Sequence, residues 1–203
     1  ISGATQEMER VKRILERLCP ETLIFLKVKD LYRVTEHPMP AEMSKAATLE
    51  LAEILQSSGF GLAPDFRFHS LKPDLDGGIV IYRNGSHAIS EVSRDFQVIG
   101  TLIRLGSLVS QVDGKLHPGG ESILSNLVSD SKLRSGEKSS LLAFVHWCVR
   151  TPQAKTGLKQ RLADLNTREK KAISNVLISV ANADGLIDKK EIREIEKLYE
   201  LLG

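Results

Sequence analysis

Two short acidic segments contain the residues of this sequence that are best suited to hold a metal ion. In each segment an Asp-Gly pair follows an apolar stretch, and a glutamate follows a few residues later. Carboxylate oxygens are the ligands that Ca²⁺ and Mg²⁺ prefer, whereas zinc favours nitrogen and sulfur. The sequence therefore predicts a site for Ca²⁺ or Mg²⁺ rather than zinc. The candidate ligands are Asp113 and Glu121 in the first segment, and Asp184, Asp188 and Glu191 in the second.

The second acidic segment has two interpretations that the sequence alone leaves open. Its three carboxylates crowd into one short connection, and a bound cation would relieve their mutual repulsion. Alternatively, Gly185 can adopt the left-handed conformation that ends one helix, while Asp188 and Glu191 form a capping box that opens the next. A true EF-hand is disfavoured, because aligning Gly185 with the sixth loop position puts Val180 at the first, where it cannot ligate.

The acidic segments also mark an internal duplication. Each one joins two apolar stretches with helical periodicity, and the two Asp-Gly pairs lie 71 residues apart. This spacing is too long for a solenoid repeat and predicts two helix-loop-helix units that face each other in one bundle. The first copy is less regular, because His117 occupies the position equivalent to Asp188 and Glu121 arrives one residue later.

A modest basic stretch runs from Arg150 to Lys171, where seven Lys and Arg residues stand against two acidic ones. The ordinary interpretation is a solvated helical surface, and the functional one is a contact for phosphate groups or acidic lipid headgroups. No aromatic residue is interleaved with the basic ones, so base stacking on a single strand of nucleic acid is not supported. The residues that would make the contact are Lys155, Lys159, Arg161, Lys170 and Lys171.

The sequence contains no recognisable set of catalytic side chains, and we predict that the protein is not an enzyme. Cys19 and Cys148 lie in apolar segments without a CxxC or a Cys/His spacing, which indicates buried, reduced thiols. His146 lies beside Trp147 in the most apolar segment and is expected in the core. Three other histidines fall in loop-like segments and are expected to be exposed: His37, His69 and His87.

The composition is that of an ordinary globular chain, with 203 residues, 41% of them apolar, 27% charged and a net charge of +2. It indicates one or two packed domains, and it contains no apolar run of the roughly 18 residues that a membrane helix needs. We predict an N-terminal helical region over residues 1–94, with a short two-stranded β element, and an all-helical domain over residues 95–203.

Helical periodicity runs through most of the chain and predicts a mainly α fold. In the N-terminal region, the ambiguous stretch 22–34 is assigned to a helix, and two short strands are predicted around Phe66 and Phe68 and over Gly78–Tyr82. The other predicted helices cover residues 8–18, 40–57, 89–112, 123–128, 136–149, 157–165, 166–181 and 188–202. The segment 141–149 has no polar face, which places it, with a buried Trp147, at the centre of a bundle formed by residues 95–203.

Residues 95–203 resemble the tellurite-resistance TerB domain, whose hallmark is two helix-loop-helix halves that each carry an Asp-Gly turn and a following Glu. The best-matching stretches are Leu141–Trp147, Thr151–Gln153, Gly157–Leu162, Val180–Glu191 and Leu198–Gly203. Upstream, Gly59–Phe68 and Val80–Arg83 are similar to the region that precedes this domain in larger bacterial proteins with TerB-type N- and C-terminal segments.

The resemblance implies a TerB-like bundle of two pseudo-repeated halves and a cytoplasmic bacterial module linked to tellurite resistance, stress response and phage defence. Its implied partners are other proteins of the same system, with peripheral contact at the inner face of the membrane. Together with the acidic segments, this favours a non-catalytic interaction module that responds to a divalent cation. The alternative is electrostatic docking on acidic membrane lipid or, less favoured, nucleic acid through the stretch from Arg150 to Lys171.

Overall fold

The computed structural model describes residues 3–84, 87–111 and 118–183, together with Arg193 and Lys197. Over these residues the protein is mainly helical with a small antiparallel sheet, which confirms the predicted mainly α class. The helices are α1 (Gly3–Leu18), α2 (Val28–Thr35), α3 (Lys45–Ser57), α4 (Phe66–His69), α5 (Arg94–Ser110), α6 (Pro118–Asp130), α7 (Ser135–Arg150), α8 (Leu158–Ala163) and α9 (Thr167–Ala181). The strands are β1 (Leu23–Lys27), β2 (Phe60–Ala63) and β3 (Gly78–Arg83).

The sheet has the strand order β1-β3-β2, and both neighbouring pairs are antiparallel. Phe25 of β1 pairs with Val80 and Leu62 of β2 pairs with Ile81, so that β3 receives hydrogen bonds from both sides. Gly61 lies directly against the ring of Tyr82, and a side chain at this position would overlap that ring. The central strand is therefore buried, and its neighbours fit closely around it.

Two sequence-based assignments in this region differ from the structure, and one strand was missed. The stretch 22–34, predicted as a helix, begins as β1 and becomes α2 at Val28, because its first residues pair with β3. Phe66 and Phe68, predicted as part of a strand, form the one-turn helix α4, whose first turn Asp65 caps by accepting from the Arg67 amide. The strand predicted over Gly78–Tyr82 is confirmed as β3, and the third strand, β2, was not predicted.

One compact unit comprises residues 1–92 and 134–147. Its core contains buried side chains from α1, α2, α3 and the sheet. Most of α7 belongs to this unit, and Trp147 donates a hydrogen bond from Nε1 to the Gly78 carbonyl at 2.9 Å. The predicted burial of Trp147 is confirmed, since 5% of the residue is exposed. Its surroundings are different from those predicted, because residues 134–147 pack with residues 1–92.

A second compact unit comprises residues 93–133 and 148–203. Its central helix is α5, which is buried along most of its length and contacts α6, α8 and α9. Leu124 of α6 packs against Gly106 of α5, and α9 adds Ile173 and Leu177 to the core. The domain boundary predicted from the sequence, between residues 94 and 95, stays a prediction.

Candidate functional site

The helix ends that flank the two acidic segments lie together in the second unit. A Cβ atom placed on Gly119, in the first turn of α6, would lie 2.9 Å from the Cβ of Ala183 and 3.2 Å from its carbonyl oxygen. A Cβ atom on Gly120 would lie 2.6 Å from Oγ of Ser110 and 3.4 Å from a methyl carbon of Val180. The start of α6 therefore packs directly on the ends of α5 and α9, without room for side chains in between.

This packing brings the borders of both acidic segments to one place. The first acidic segment connects Gln111 to α6, and the second begins at the residue after Ala183. Four of the five candidate ligands lie outside the described residues: Asp113, Asp184, Asp188 and Glu191. Glu121 is the fifth, and it lies in the first turn of α6.

Glu121 forms an ion pair with Arg150, the last residue of α7. The Nη1 atom of Arg150 lies 2.8 Å from Oε1 of Glu121, and the exposed fractions of the two side chains are 29% and 22%. A cation that ligates Glu121 would have to share this carboxylate with the guanidinium or displace it. Glu121 directly follows Gly119 and Gly120, whose backbone packs against Ala183 and Ser110, and its ion pair with Arg150 would compete with any cation for the carboxylate.

Ser110 adds an oxygen atom to the same place. The residue is 4% exposed, and its Oγ has no hydrogen-bond partner in the part of the chain that the structure describes. A buried hydroxyl normally finds a partner, because leaving it unpaired costs about 1–3 kcal/mol. Sequence reasoning missed Ser110, because a serine near the end of an apolar helix has many ordinary roles.

A network of side-chain amides and one guanidinium attaches the segment after α7 to α5. Nε2 of Gln111 donates to the carbonyls of Cys148 at 2.7 Å and Thr151 at 3.0 Å, and its Oε1 accepts from the Gln153 amide at 3.2 Å. Arg104, which is 2% exposed, donates from Nη2 to two further carbonyls of this segment, those of Ala154 and Thr156. Burial lowers the pKa of Arg104. The start of the basic stretch is thereby fixed to the central helix.

The basic residues predicted to contact an acidic partner lie on the loop before α8, on α8 and on α9. Lys155, Lys159 and Lys171 are exposed, whereas Arg161 and Lys170 are half-buried. Burial lowers the pKa of Arg161. Near the start of α9, Arg94 donates to both carboxylate oxygens of Glu169, at 2.9 and 3.1 Å, and this contact holds the pKa of Glu169 below its usual range.

In the part of the chain that the structure describes, both cysteine thiols are buried and the histidine side chains differ in their exposure. Burial raises the pKa of the Cys19 thiol and raises that of Cys148 well above its usual value. The expectation that His69 is exposed is wrong, because its ring is 3% exposed and stacks on Phe144 with centroids 3.7 Å apart. His87 is exposed as predicted, and His146 is half-buried on α7.

Among the described residues, no group of three or more His, Cys, Asp or Glu side chains is arranged to hold a metal ion. The described helices also include none whose length and apolar character would allow it to cross a bilayer. The prediction that the protein is not an enzyme stays a prediction.

No protein-family model, curated protein or solved structure matches this chain.

Proposed function

We propose that the second unit is a non-catalytic interaction module whose two acidic segments together bind one Ca²⁺ or Mg²⁺ ion. The observation that carries the proposal is the contact of Gly119 with Ala183, which brings the borders of the two segments together. Ligands from two adjacent loops can complete an oxygen shell that neither loop supplies alone. The proposed ligands are Asp113, Asp184, Asp188 and Glu191, with Glu121 shared between the cation and Arg150.

Two further observations support an oxygen-lined site at this end of the unit. The Oγ of Ser110, which has no partner among the described residues, is a neutral oxygen of the kind that Ca²⁺ accepts beside carboxylates. The ion pair of Glu121 with Arg150 offers a mechanism of response, since a cation that takes Glu121 would release the end of α7. We propose that this change alters the surface offered to partner proteins.

The biological setting of the proposal rests on the resemblance to the TerB domain. The two pseudo-repeated helix-loop-helix halves, a role in bacterial tellurite resistance or stress response, and partners from the same system are parts of the proposal. So is a cytoplasmic location at the inner face of the membrane. These parts are supported by the duplicated Asp-Gly pattern of the sequence.

Thermal unfolding with and without cations tests the proposal. A ligand that binds only the folded state stabilises it by about 2.7 kcal/mol when its free concentration is about 100 times Kd. We expect Ca²⁺ or Mg²⁺ to raise Tm, and the double variant Asp184→Asn/Glu191→Gln to lose this gain, because it keeps capping groups but removes charge. The matched control is Asp130→Asn/Glu9→Gln, which makes the same change at exposed positions. An equal rise of Tm in the unchanged protein and in both double variants would contradict the proposal.

A second candidate function is electrostatic docking of the basic surface on acidic lipid. It is favoured by one observation, that Lys159, Lys170 and Lys171 form no ion pair with any residue that the structure describes. Binding to vesicles that contain phosphatidylserine should weaken steeply between low and physiological salt. Replacing these three lysines by glutamine should abolish it, whereas the same change at Lys12, Lys72 and Lys132 should not. Vesicle binding that does not change with salt concentration would exclude this function.

A further inference from the structure

A small cavity lies in the first unit, where α3, β2, α4 and β3 meet. Its volume is about 10 Å³, the space that one water molecule needs. The wall is formed in part by apolar groups, including Phe60 and Leu62, and in part by polar ones. The polar residues of the wall are Gln56, Asp65, Arg67, Tyr82 and Asn84.

Asn84, the residue after β3, contains a buried polar atom that no described residue satisfies. The residue is 8% exposed, and its Oδ1 finds no hydrogen-bond donor in the described part of the chain. Its backbone is fixed, because the Asn84 amide donates to the Gly59 carbonyl at 3.1 Å and its own carbonyl accepts from His87 at 2.8 Å. The Cα of Asn84 is therefore held at the cavity, and a buried oxygen there needs a hydrogen-bond donor.

The charged groups of the wall satisfy one another. Arg67 donates from Nε to Oδ1 of Asp65 at 3.0 Å and from Nη2 to Oδ2 at 2.7 Å, and Asp65 is 4% exposed. Arg67 also donates from Nη1 to Oε1 of Gln56 at 3.2 Å. Three of the five guanidinium N–H groups are thereby used, and two remain to donate. The carboxylate charge is matched by the guanidinium, so the wall offers no excess charge to attract an ion.

We propose that this cavity binds one internal water molecule, which donates a hydrogen bond to Oδ1 of Asn84. The water can accept from a remaining N–H group of Arg67 and donate its second hydrogen to another oxygen of the wall. A neutral ligand is favoured over a metal ion, because the carboxylate is already paired and the cavity admits a single small molecule. The water would connect the end of β3 to the capped start of α4.

A high-resolution crystal structure of the full chain tests the proposal directly. We expect a single density peak in this cavity, about 2.7–3.2 Å from Oδ1 of Asn84. An empty cavity would overturn the proposal, and so would a peak with several contacts of about 2.3–2.6 Å, the distances of a bound Ca²⁺ ion.

Magnetic relaxation dispersion of water provides a test in solution, because it counts the water molecules that stay in the protein for long times. We expect Asn84→Leu, which removes the unsatisfied oxygen at similar volume, to lose one such water relative to the unchanged protein. Asn126→Leu makes the same exchange at an exposed position of α6 and should lose none. An unchanged count in a folded Asn84→Leu variant would overturn the proposal, and if that variant fails to fold the crystal structure decides.

Discussion

The replacement of Trp147 by alanine tests the packing of α7 in the first unit. Only 5% of Trp147 is exposed, and the centroid of its ring lies 6.2 Å from that of Phe144. It also holds the start of β3 through the hydrogen bond to the Gly78 carbonyl. Removing it therefore affects both the apolar core and one end of the central strand.

The expected loss of stability follows from the apolar area that Trp147 buries and from its hydrogen bond. A buried aromatic side chain covers about 150–250 Å², and at about 25 cal/mol per Å² this corresponds to roughly 4–6 kcal/mol before relaxation. Measured truncations of buried Trp and Phe to Ala cost about 3–5 kcal/mol, which is our expectation for Trp147→Ala. Trp147→Phe keeps a smaller aromatic ring but loses the N–H donor, and should cost about 1–2 kcal/mol.

Urea unfolding followed by far-ultraviolet circular dichroism measures both variants, because Trp147 is the single tryptophan and its fluorescence disappears with it. Hydrogen exchange of the β3 amides would show that the loss lies in the first unit. Ile178→Ala is the control, since Ile178 is 45% exposed and its truncation should cost little. A Trp147→Ala variant within about 1 kcal/mol of the unchanged protein would refute the packing described for α7.

Three further predictions concern the second unit. Gly119→Ala should destabilise this unit by about 1–3 kcal/mol in urea unfolding, because the added methyl group meets Ala183. The double variant Gly119→Ala/Ala183→Gly should recover part of this loss of stability. Additive free-energy changes in the double variant would show that the two residues do not touch. Arg104→Met should cost about 1–3 kcal/mol in the same assay, because the two hydrogen bonds to the carbonyls of Ala154 and Thr156 are lost at about 0.5–1.5 kcal/mol each. A neutral result would count against that role. Glu169 has a lowered pKa in the folded state, because of its ion pair with Arg94. The pair therefore stabilises the fold fully above the ordinary Glu pKa of about 4.3, and this stabilisation is lost as pH falls through the lowered pKa. Glu169→Gln should reduce Tm at neutral pH and leave Tm unchanged at a pH well below both pKa values. A pH-independent difference in Tm would contradict this last assignment.

The sequence predicted the helices of the second unit better than the sheet of the first. Helical periodicity is a local signal, and α5 and α9 follow it closely. Strand β1 depends on pairing with β3, more than fifty residues further along the chain. Periodicity alone does not separate a strand from a helix over so short an apolar run. The apolar segment of α7 was recognised as buried, but the pattern could not tell which elements would cover it.

The candidate site was visible in the sequence only as two separate patterns. The Asp-Gly pairs and the following glutamates are local, and so they could be found without a structure. The contact between Gly119 and Ala183 depends on how α6 packs against α9, which no local pattern encodes. The same is true of the Glu121 ion pair with Arg150 and of the burial of His69 against Phe144.

The stoichiometry of cation binding, measured by isothermal titration calorimetry, tests the central proposal most directly. If the two acidic segments share one ion, Ca²⁺ or Mg²⁺ should bind with about one ion per chain, and both Asp113→Asn and Asp184→Asn should weaken the binding. Asp130→Asn, at the exposed end of α6, should leave it unchanged. The absence of binding heat at millimolar Ca²⁺ and Mg²⁺, or binding that survives both substitutions, would contradict the proposal and leave the segments as helix caps.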